Sequence, residues 1–175
     1  MTDRIEIRES VPDDLASIEK LYPDAFPDEE LLPLVRRLLA ETQSVLSLAA
    51  TADGVLAGHA IFTTCGVSGA TGKVALLGPL AVASNRQRQG IGGALVREGL
   101  QRSENAGMRR VFVLGDPAYY GRFGFAPDER VAPPYALPDE WRGAWQSVGL
   151  PGNAQPLRGE LSVPSPWRHR ALWAP

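Results

Sequence analysis

The sequence predicts an α/β (mixed α+β) protein in which helices flank a central mixed sheet that is mostly antiparallel. Two β-rich runs, 44–51 and 55–65, flank Ala52-Asp53-Gly54, a hairpin turn signal that makes these strands antiparallel. Further along, an apolar run is followed by a glycine-rich turn, a periodic helical stretch and a short apolar run at 111–114. This order predicts a strand–helix–strand crossover within the same sheet.

The first part of the chain predicts one strand and two helices. Residues 4–9 alternate apolar and charged side chains, as in a strand with one wet face. Ser10-Val11-Pro12-Asp13 is typical of a helix start, and Pro23 and Pro27 predict a break before a second helix that begins near Asp28. The apolar positions predicted to be buried in the two helices are Leu15, Ile18, Leu21, Leu31, Leu34, Val35 and Leu38.

The middle of the chain predicts the central strand and the helix that follows it. Residues 73–82 form an apolar strand whose interior contains Gly78-Pro79. Because proline cannot donate a ladder hydrogen bond, we expect a bulge at this dipeptide. From Ile91 to about Asn105 apolar residues recur at helical spacing, and Ala106-Gly107 ends the helix.

The C-terminal part contains many prolines and predicts an ordered loop followed by two last strands. A long helix is excluded by Pro127, Pro133, Pro134 and Pro138. Residues 141–150 and 157–163 predict two strands around the turn Pro151-Gly152-Asn153. Three aromatic residues are predicted to cover the core or a sheet edge: Trp145, Trp167 and Trp173.

Length and composition limit the class of protein. With 175 residues, of which 44% are hydrophobic, the chain predicts a single domain over 1–175. A formal charge of -2 favours neither nucleic acid nor an anionic membrane as a partner. Cys65, the single cysteine, excludes an internal disulfide and is expected to be buried. The N-terminal residues alternate in charge without an apolar segment, so we expect a cytoplasmic protein.

Gly90, Gly92 and Gly93 fall where the central strand leads into the helix. The first turn of a helix has backbone N–H groups without intrahelical partners and about half a positive charge. Glycine lets such a backbone approach an anion closely, and Arg86 and Arg88 are adjacent. We therefore predict a phosphate-binding turn.

Two common nucleotide motifs do not match this turn. The dinucleotide fingerprint requires a third small residue at the position of Leu95. The P-loop requires Ser or Thr after the lysine, but Gly72-Lys73 is followed by Val74.

The same turn resembles the Q/R-x-x-G-x-G/A signature of the GNAT superfamily of N-acetyltransferases. Gln87, Gly90 and Gly92 match it, and Leu80-x-Val82 lies at the expected distance upstream. A short glycine motif alone has low specificity, because many loop-to-helix junctions contain two glycines.

A second stretch, 111–125, resembles the end of the GNAT core. There a buried strand is followed by a short helix and then by Tyr-x-x-x-Gly-Phe, which Tyr120, Gly124 and Phe125 match. Because both motifs occur in the family's order, the chain is identified as a member of the GNAT superfamily.

The resemblance implies the GNAT fold, with a V-shaped splay between the fourth and fifth strands. It also implies acetyl-CoA as co-substrate, without a metal. The end of the central strand would bind the amides of pantetheine, and the glycine-rich turn would bind the diphosphate. The residues expected at the cofactor are Leu80, Ala81, Val82, Gln87, Arg88, Gln89, Gly90, Ile91, Gly92, Gly93, Tyr119, Tyr120 and Phe123.

The implied activity is direct attack of a primary amine on the thioester in a ternary complex. Tyr120 would be the general acid near the sulfur, and the Val82 amide would stabilise the oxyanion. Since the central strand contains no acid, His59, Asp116 or a water chain would be the base. The alternatives are a structural His59, Asp116 as a helix cap, and a Tyr120 that packs on the cofactor without proton transfer.

The acceptor is not encoded in a recognisable motif, and it is left open between a small molecule and a protein amine. In GNAT proteins the segment between the first two helices helps to wall the acceptor site. Its acidic residues, Asp24, Asp28, Glu29 and Glu30, are therefore candidate contacts for a cationic amine, or else a solvated helix start. The alternative function is a catalytically silent acyl-CoA-binding module, and a homodimer is also left open.

Overall fold

A computed structural model describes residues 4–152 and 156–174. Backbone packing divides the chain into two compact units, Met1–Phe62 with Gly78–Gly99, and Thr63–Leu77 with Leu100–Pro175. A single domain over the whole chain stays a prediction.

The first unit contains strands β1 and β2, the start of strand β3, and two helices: β1 Ile5–Glu9, α1 Leu15–Ala25, α2 Leu32–Ala40, β2 Val45–Ala52 and β3 Val55–Val67. β1 pairs antiparallel with β2, with Ile7 opposite Ala50. Asp53 and Gly54 adopt φ values of 50° and 82°, the left-handed pair that a two-residue hairpin turn requires. The predicted hairpin is confirmed.

The two helices differ from the prediction at their boundaries. α1 continues through Pro23 to Ala25, and α2 begins at Leu32 with Pro33 in its first turn, not at Asp28. A proline is tolerated in a first turn, where its missing N–H has no intrahelical acceptor, and this favours the later start. Of the predicted core positions, Leu15 is 40% exposed. The buried residues of the two helices are Ile18, Leu21, Tyr22, Leu34, Val35 and Leu38.

Helix α3 (Ile91–Asn105) follows strand β4 (Val74–Val82), and its boundaries agree with the prediction. Within the first unit, α3 packs closely on β3 at two glycines. A Cβ at Gly58 would lie 2.9 Å from Ile91 Cγ2, and a Cβ at Gly99 would overlap the ring of Phe62. The absence of side chains at these glycines therefore permits the close approach of helix and strand.

The second unit contains the end of β3, the start of β4, the end of α3, strands β5 to β9 and the short helix α4. Their bounds are β5 Arg110–Leu114, α4 Pro117–Tyr120, β6 Ala126–Pro127, β7 Val131–Ala132, β8 Trp145–Gly149 and β9 Gly159–Ser162. β4 pairs parallel with β5 from Ala75 to Leu77, as the predicted crossover requires. This pairing ends before Gly78–Pro79, whose peptide bond is cis, at the place where the splay was predicted.

The predicted hairpin of the last two strands is wrong. β8 pairs antiparallel with β5 and β6, whereas β9 pairs with β7 and with the end of β3. Phe112 stacks on Trp145 at 5.3 Å between ring centroids, and this packing favours β5 as the partner of β8. Asn153, in the predicted turn, lies outside the described residues.

The three C-terminal tryptophans are buried, as predicted. Trp173 packs against Trp145 and Trp167 at 5.7 and 5.8 Å between ring centroids. The indole N–H of Trp145 donates to the Val131 carbonyl, and that of Trp167 donates to the Thr63 hydroxyl. The indole N–H of Trp173 donates to the Trp167 carbonyl. These bonds satisfy the polar atoms of an aromatic core in the second unit. Across residues 4–152 and 156–174, no helix is long and apolar enough to cross a membrane.

Candidate functional site

The glycine turn, residues 83–93, begins with a rigid entry in the first unit. Ala83 N donates to Ala57 O at 2.8 Å, which fixes the end of β4 to β3. The next residues form a 3-10 turn closed by Arg86 N, which donates to Ala83 O at 2.8 Å. The side-chain amide nitrogen of Gln87, Nε2, donates to Val82 O at 3.3 Å. The path of the chain into the predicted phosphate site is therefore set by hydrogen bonds.

The next part of the glycine turn is open to solvent. Gln87, Arg88, Gln89 and Gly90 are all exposed, and α3 begins immediately afterwards at Ile91. Arg88 and Gly90 adopt φ values of 63° and 84°, and left-handed residues of this kind shape anion-binding concavities of backbone N–H groups. An exposed turn, a helix N-terminus and a guanidinium fit a diphosphate group.

The end of β4 is less open. Leu80 and Val82 are half-buried and Ala81 is buried. Their pairing with pantetheine, and the Val82 amide as an oxyanion donor, stay predictions.

Tyr120 lies at the end of α4 in the second unit. Asp116 caps this helix, since its Oδ1 accepts from Ala118 N at 2.9 Å. A Cβ at Gly115 would overlap the Tyr120 ring, so this ring occupies the space that a larger residue would fill. The ring also contacts Tyr119 and Phe125 edge-on, with centroid distances of 4.9 and 5.7 Å. Local packing therefore fixes the orientation of the phenol.

The environment of Tyr120 keeps its hydroxyl protonated. Burial raises the pKa of the Tyr120 phenol, with a further contribution from Tyr119. A phenol with a raised pKa is neutral at pH 7 and can donate a proton. Phe123, also predicted to bind the cofactor, packs edge-on against Tyr119 at 5.5 Å.

Sequence reasoning missed Gln146, which lies on β8 and is fully buried. Its amide nitrogen donates to Gly115 O at 3.0 Å, while Ala144 O accepts from Gly115 N at 2.9 Å. The N–H and the carbonyl of Gly115, the residue that precedes the Asp116 cap, are therefore both hydrogen-bonded. A long polar side chain inside a predicted strand was the only sequence signal of this contact.

His59 lies in a closed hydrogen-bonded network of the first unit. It is fully buried, its Nδ1 is 2.7 Å from the Tyr22 hydroxyl, and its Nε2 is 2.7 Å from the Ser47 hydroxyl. The Ser47 hydroxyl is in turn 2.5 Å from that of Ser10. Burial lowers the pKa of His59 to about 4, against a smaller opposing effect of the Asp14 carboxylate. This environment favours the structural interpretation of His59.

The four acidic residues proposed as amine contacts differ in their surroundings. Asp28, Glu29 and Glu30 are exposed between α1 and α2. Asp24 instead accepts two hydrogen bonds from Ser84, which also lower the pKa of its carboxyl. Across the described ranges, no group of three or more His, Cys, Asp or Glu side chains could hold a metal ion.

Comparison with known proteins identifies the family. The profile described as Acetyltransferase (GNAT) family matches residues 15–125. Over 166 residues the chain is 32% identical to a protein of Escherichia coli (strain K12) named Uncharacterized N-acetyltransferase YjhQ, covering 91% of this chain and 92% of that protein. The chain belongs to the GNAT family of acetyltransferases. This GNAT protein is also 36% identical over 120 residues to YhbS of the same strain, named an uncharacterized N-acetyltransferase, covering 68% and 72% of the two chains.

Two solved structures of GNAT proteins resemble the chain over most of its length. Escherichia coli YhbS in complex with CoA has a TM-score of 0.85 and 29% identity, covering 97% of this chain and 94% of that one. A GNAT acetyltransferase from Brucella melitensis in complex with acetyl-CoA has a TM-score of 0.74 and 31% identity, covering 94% and 98%. The predicted family, the fold class and N-acetyl transfer as the type of activity are therefore confirmed.

Proposed function

We propose that this GNAT protein transfers the acetyl group of acetyl-CoA to a primary amine by direct attack, with Tyr120 as general acid. The observation that carries the proposal is the exposed segment Gln87–Gly90 at the N-terminus of α3, in a family whose relatives include complexes with CoA and acetyl-CoA. In the proposed reaction a C–N bond forms, the thioester C–S bond breaks, and the departing thiolate takes up a proton.

Binding would fix both ends of the co-substrate. The backbone of the glycine turn and Arg88 would hold the diphosphate, and the strand end Leu80–Val82 would hold pantetheine. Fixing the carrier at two points orients the thioester at the end of pantetheine, and orientation of this kind lowers a reaction barrier by several kcal/mol. The Val82 amide is the proposed donor to the carbonyl oxygen on which negative charge develops.

Tyr120 would supply the proton for the thiolate. Its half-buried ring is held in place by packing on Gly115, and its phenol is protonated at pH 7. A phenol that stays protonated at pH 7 can donate in the transition state, which is worth about 10² to 10⁴-fold in rate.

The proposal does not assign a strong protein base. Both ring nitrogens of His59 are within hydrogen-bond distance of hydroxyl groups, and Asp116 caps α4. We therefore propose that the amine reacts in its neutral form and that a water chain removes its proton. The rate at subsaturating amine should then rise with pH along the ionisation of the acceptor itself.

Thiol release from acetyl-CoA in the presence of a panel of primary amines tests the proposal. Tyr120→Phe should lower kcat by about 10²-fold while the KM for acetyl-CoA stays nearly constant. The control is Tyr135→Phe, because Tyr135 carries no proposed role and contacts Arg170 through its ring. Turnover by Tyr120→Phe equal to the wild type would show that Tyr120 only packs on the cofactor.

The catalytically silent acyl-CoA-binding module remains the alternative outcome of the same experiment. CoA binding measured by calorimetry, without turnover on any amine of the panel, would favour it over the transferase. A wild-type protein that binds no CoA would contradict both functions.

A further inference from the structure

A side chain of α1 reaches the start of the glycine turn. The Asp24 carboxylate accepts from Ser84 N at 2.8 Å and from Ser84 Oγ at 2.7 Å, although the two residues are 60 positions apart in the chain. Ser84 begins the 3-10 turn Ser84–Arg86 that follows the end of β4. One carboxylate therefore accepts from both donors of Ser84, the second residue of the glycine turn.

The helix end that carries Asp24 is itself fixed. Tyr22, one residue before the internal Pro23, is buried, and its hydroxyl lies 2.7 Å from His59 Nδ1 on β3. Phe26 N donates to Tyr22 O at 2.8 Å, and the two rings stack at 6.4 Å. The backbone that carries Asp24 is therefore held by contacts on both sides of it.

The exposed segment Gln87–Gly90 of the glycine turn lies a few residues beyond this contact. Ala83 N is bound to Ala57 O on β3, and Ser84 is bound to Asp24 on α1. Beyond them, Gln87–Gly90 is exposed and contains the left-handed Arg88. The shape of this segment therefore depends on how firmly the chain is held at its entry.

We propose that Asp24 is a positioning residue that holds the glycine turn in the conformation that binds the diphosphate of acetyl-CoA. The inference rests on the proposed function of this turn. It differs from the sequence-based role of Asp24 as an amine contact, since both carboxylate oxygens accept hydrogen bonds from Ser84. Asp28, Glu29 and Glu30 stay the other candidate amine contacts of this segment.

A preorganised turn raises affinity because the entropy of ordering it is not lost on binding. Loss of Asp24 should therefore weaken binding of CoA and acetyl-CoA while the rate of the saturated enzyme stays unchanged. A contact between Asp24 and the amine would have the opposite signature, with an altered KM for the amine and unaltered CoA affinity. The two roles are separable by measurement.

The experiment compares Asp24→Ala, Asp24→Asn and Ser84→Ala with the wild type, by calorimetry with CoA and by steady-state kinetics. Asp24→Ala should raise the Kd of CoA and the KM for acetyl-CoA by about 3- to 10-fold, the equivalent of about one net hydrogen bond, with kcat within twofold. Asp24→Asn retains an acceptor for Ser84 N and should restore most of the affinity. Ser84→Ala loses one of the two bonds and should be intermediate.

The matched control is Asp13→Ala, which removes an exposed acid from the turn Pro12–Asp14 preceding the same helix. It should leave the Kd of CoA and kcat unchanged. Hydrogen exchange without CoA provides an independent readout, because Asp24→Ala should accelerate exchange of the amides from Ser84 to Gly93, whereas Asp13→Ala should not.

Three results would overturn the inference. In the first, Asp24→Ala leaves CoA affinity and amide exchange at wild-type values. In the second, Asp24→Ala changes only the KM for the amine, which would indicate that Asp24 contacts the amine. Either of these results leaves the proposed transferase function intact. The third result is a wild-type protein without CoA affinity, which would overturn that function and the role of Asp24 together.

Discussion

Acidification should destabilise the protein through His59. In the folded state burial lowers the pKa of His59 to about 4 from a reference of 6.5. Between these values the unfolded chain binds a proton that the folded chain does not, so stability falls as the pH falls from about 6.5 to 4. A difference of about 2.5 pKa units at about 1.4 kcal/mol per unit gives a loss of roughly 3 kcal/mol across this window.

Other acidic groups near the network do not produce this dependence. Hydrogen bonding to Arg8 lowers the pKa of Asp14 to about 2, so its stabilising charge is lost only below the window of His59. The predicted slope of up to about 1.4 kcal/mol per pH unit therefore reports mainly the imidazole.

Urea unfolding of the wild type and His59→Gln at intervals from pH 7 to 4.5 measures this slope. Glutamine does not titrate, so the variant should show a flatter dependence relative to its own stability at pH 7. An NMR titration of the imidazole signal in the wild type provides the second measurement if the variant is too unstable. Equal slopes for both proteins, or a protonation midpoint near 6.5 in the folded state, would refute the reasoning.

Three further predictions concern packing, reactivity and the glycine turn. Gly99→Ala should lower the free energy of unfolding by about 1–3 kcal/mol, because its methyl group overlaps the Phe62 ring, whereas Gly143→Ala meets no atom within 4 Å and should be nearly neutral in the same urea titration. Cys65 is buried and its thiol pKa is raised to about 12, so a disulfide reagent should label it only after unfolding, and rapid labelling of the native protein would contradict this. Gly90→Val places a branched side chain at a φ of 84° and should raise the KM for acetyl-CoA by about fivefold or more with little effect on kcat; an unchanged KM would argue against this turn as the diphosphate site.

The elements that were predicted correctly have local signals at both ends. α3 follows Gly90 and is followed by Gly107, and both glycines adopt left-handed φ values. The β2–β3 turn depends on Asp53 and Gly54, two residue types that adopt the left-handed backbone conformation readily. Two signals competed for the start of α2, the acidic Asp28 and the proline Pro33. The helix begins at Leu32 with Pro33 in its first turn, so the proline and not the acidic residue marked its start.

Local sequence signals did not predict the pairing of the last strands. Val131 and Ala132 pair with β9, and Trp145 pairs with Leu114 on β5, so each strand finds its partner across an intervening loop. Which strands become neighbours depends on where the aromatic side chains are buried, and that is a property of the whole core.

The family was determined by the sequence, because its motifs depend on residue types at short, fixed spacing. The phosphate site at the glycine turn and the role of Tyr120 were predicted from the same kind of spacing and stay predictions. The hydrogen-bond partners of His59 and Asp24 were decided only by the tertiary structure. His59 meets partners 37 and 12 positions away, and Asp24 meets Ser84 at a distance of 60 positions. A buried imidazole or an exposed carboxylate acquires its role from the donors and acceptors that folding brings within hydrogen-bond distance, and no local pattern encodes those partners.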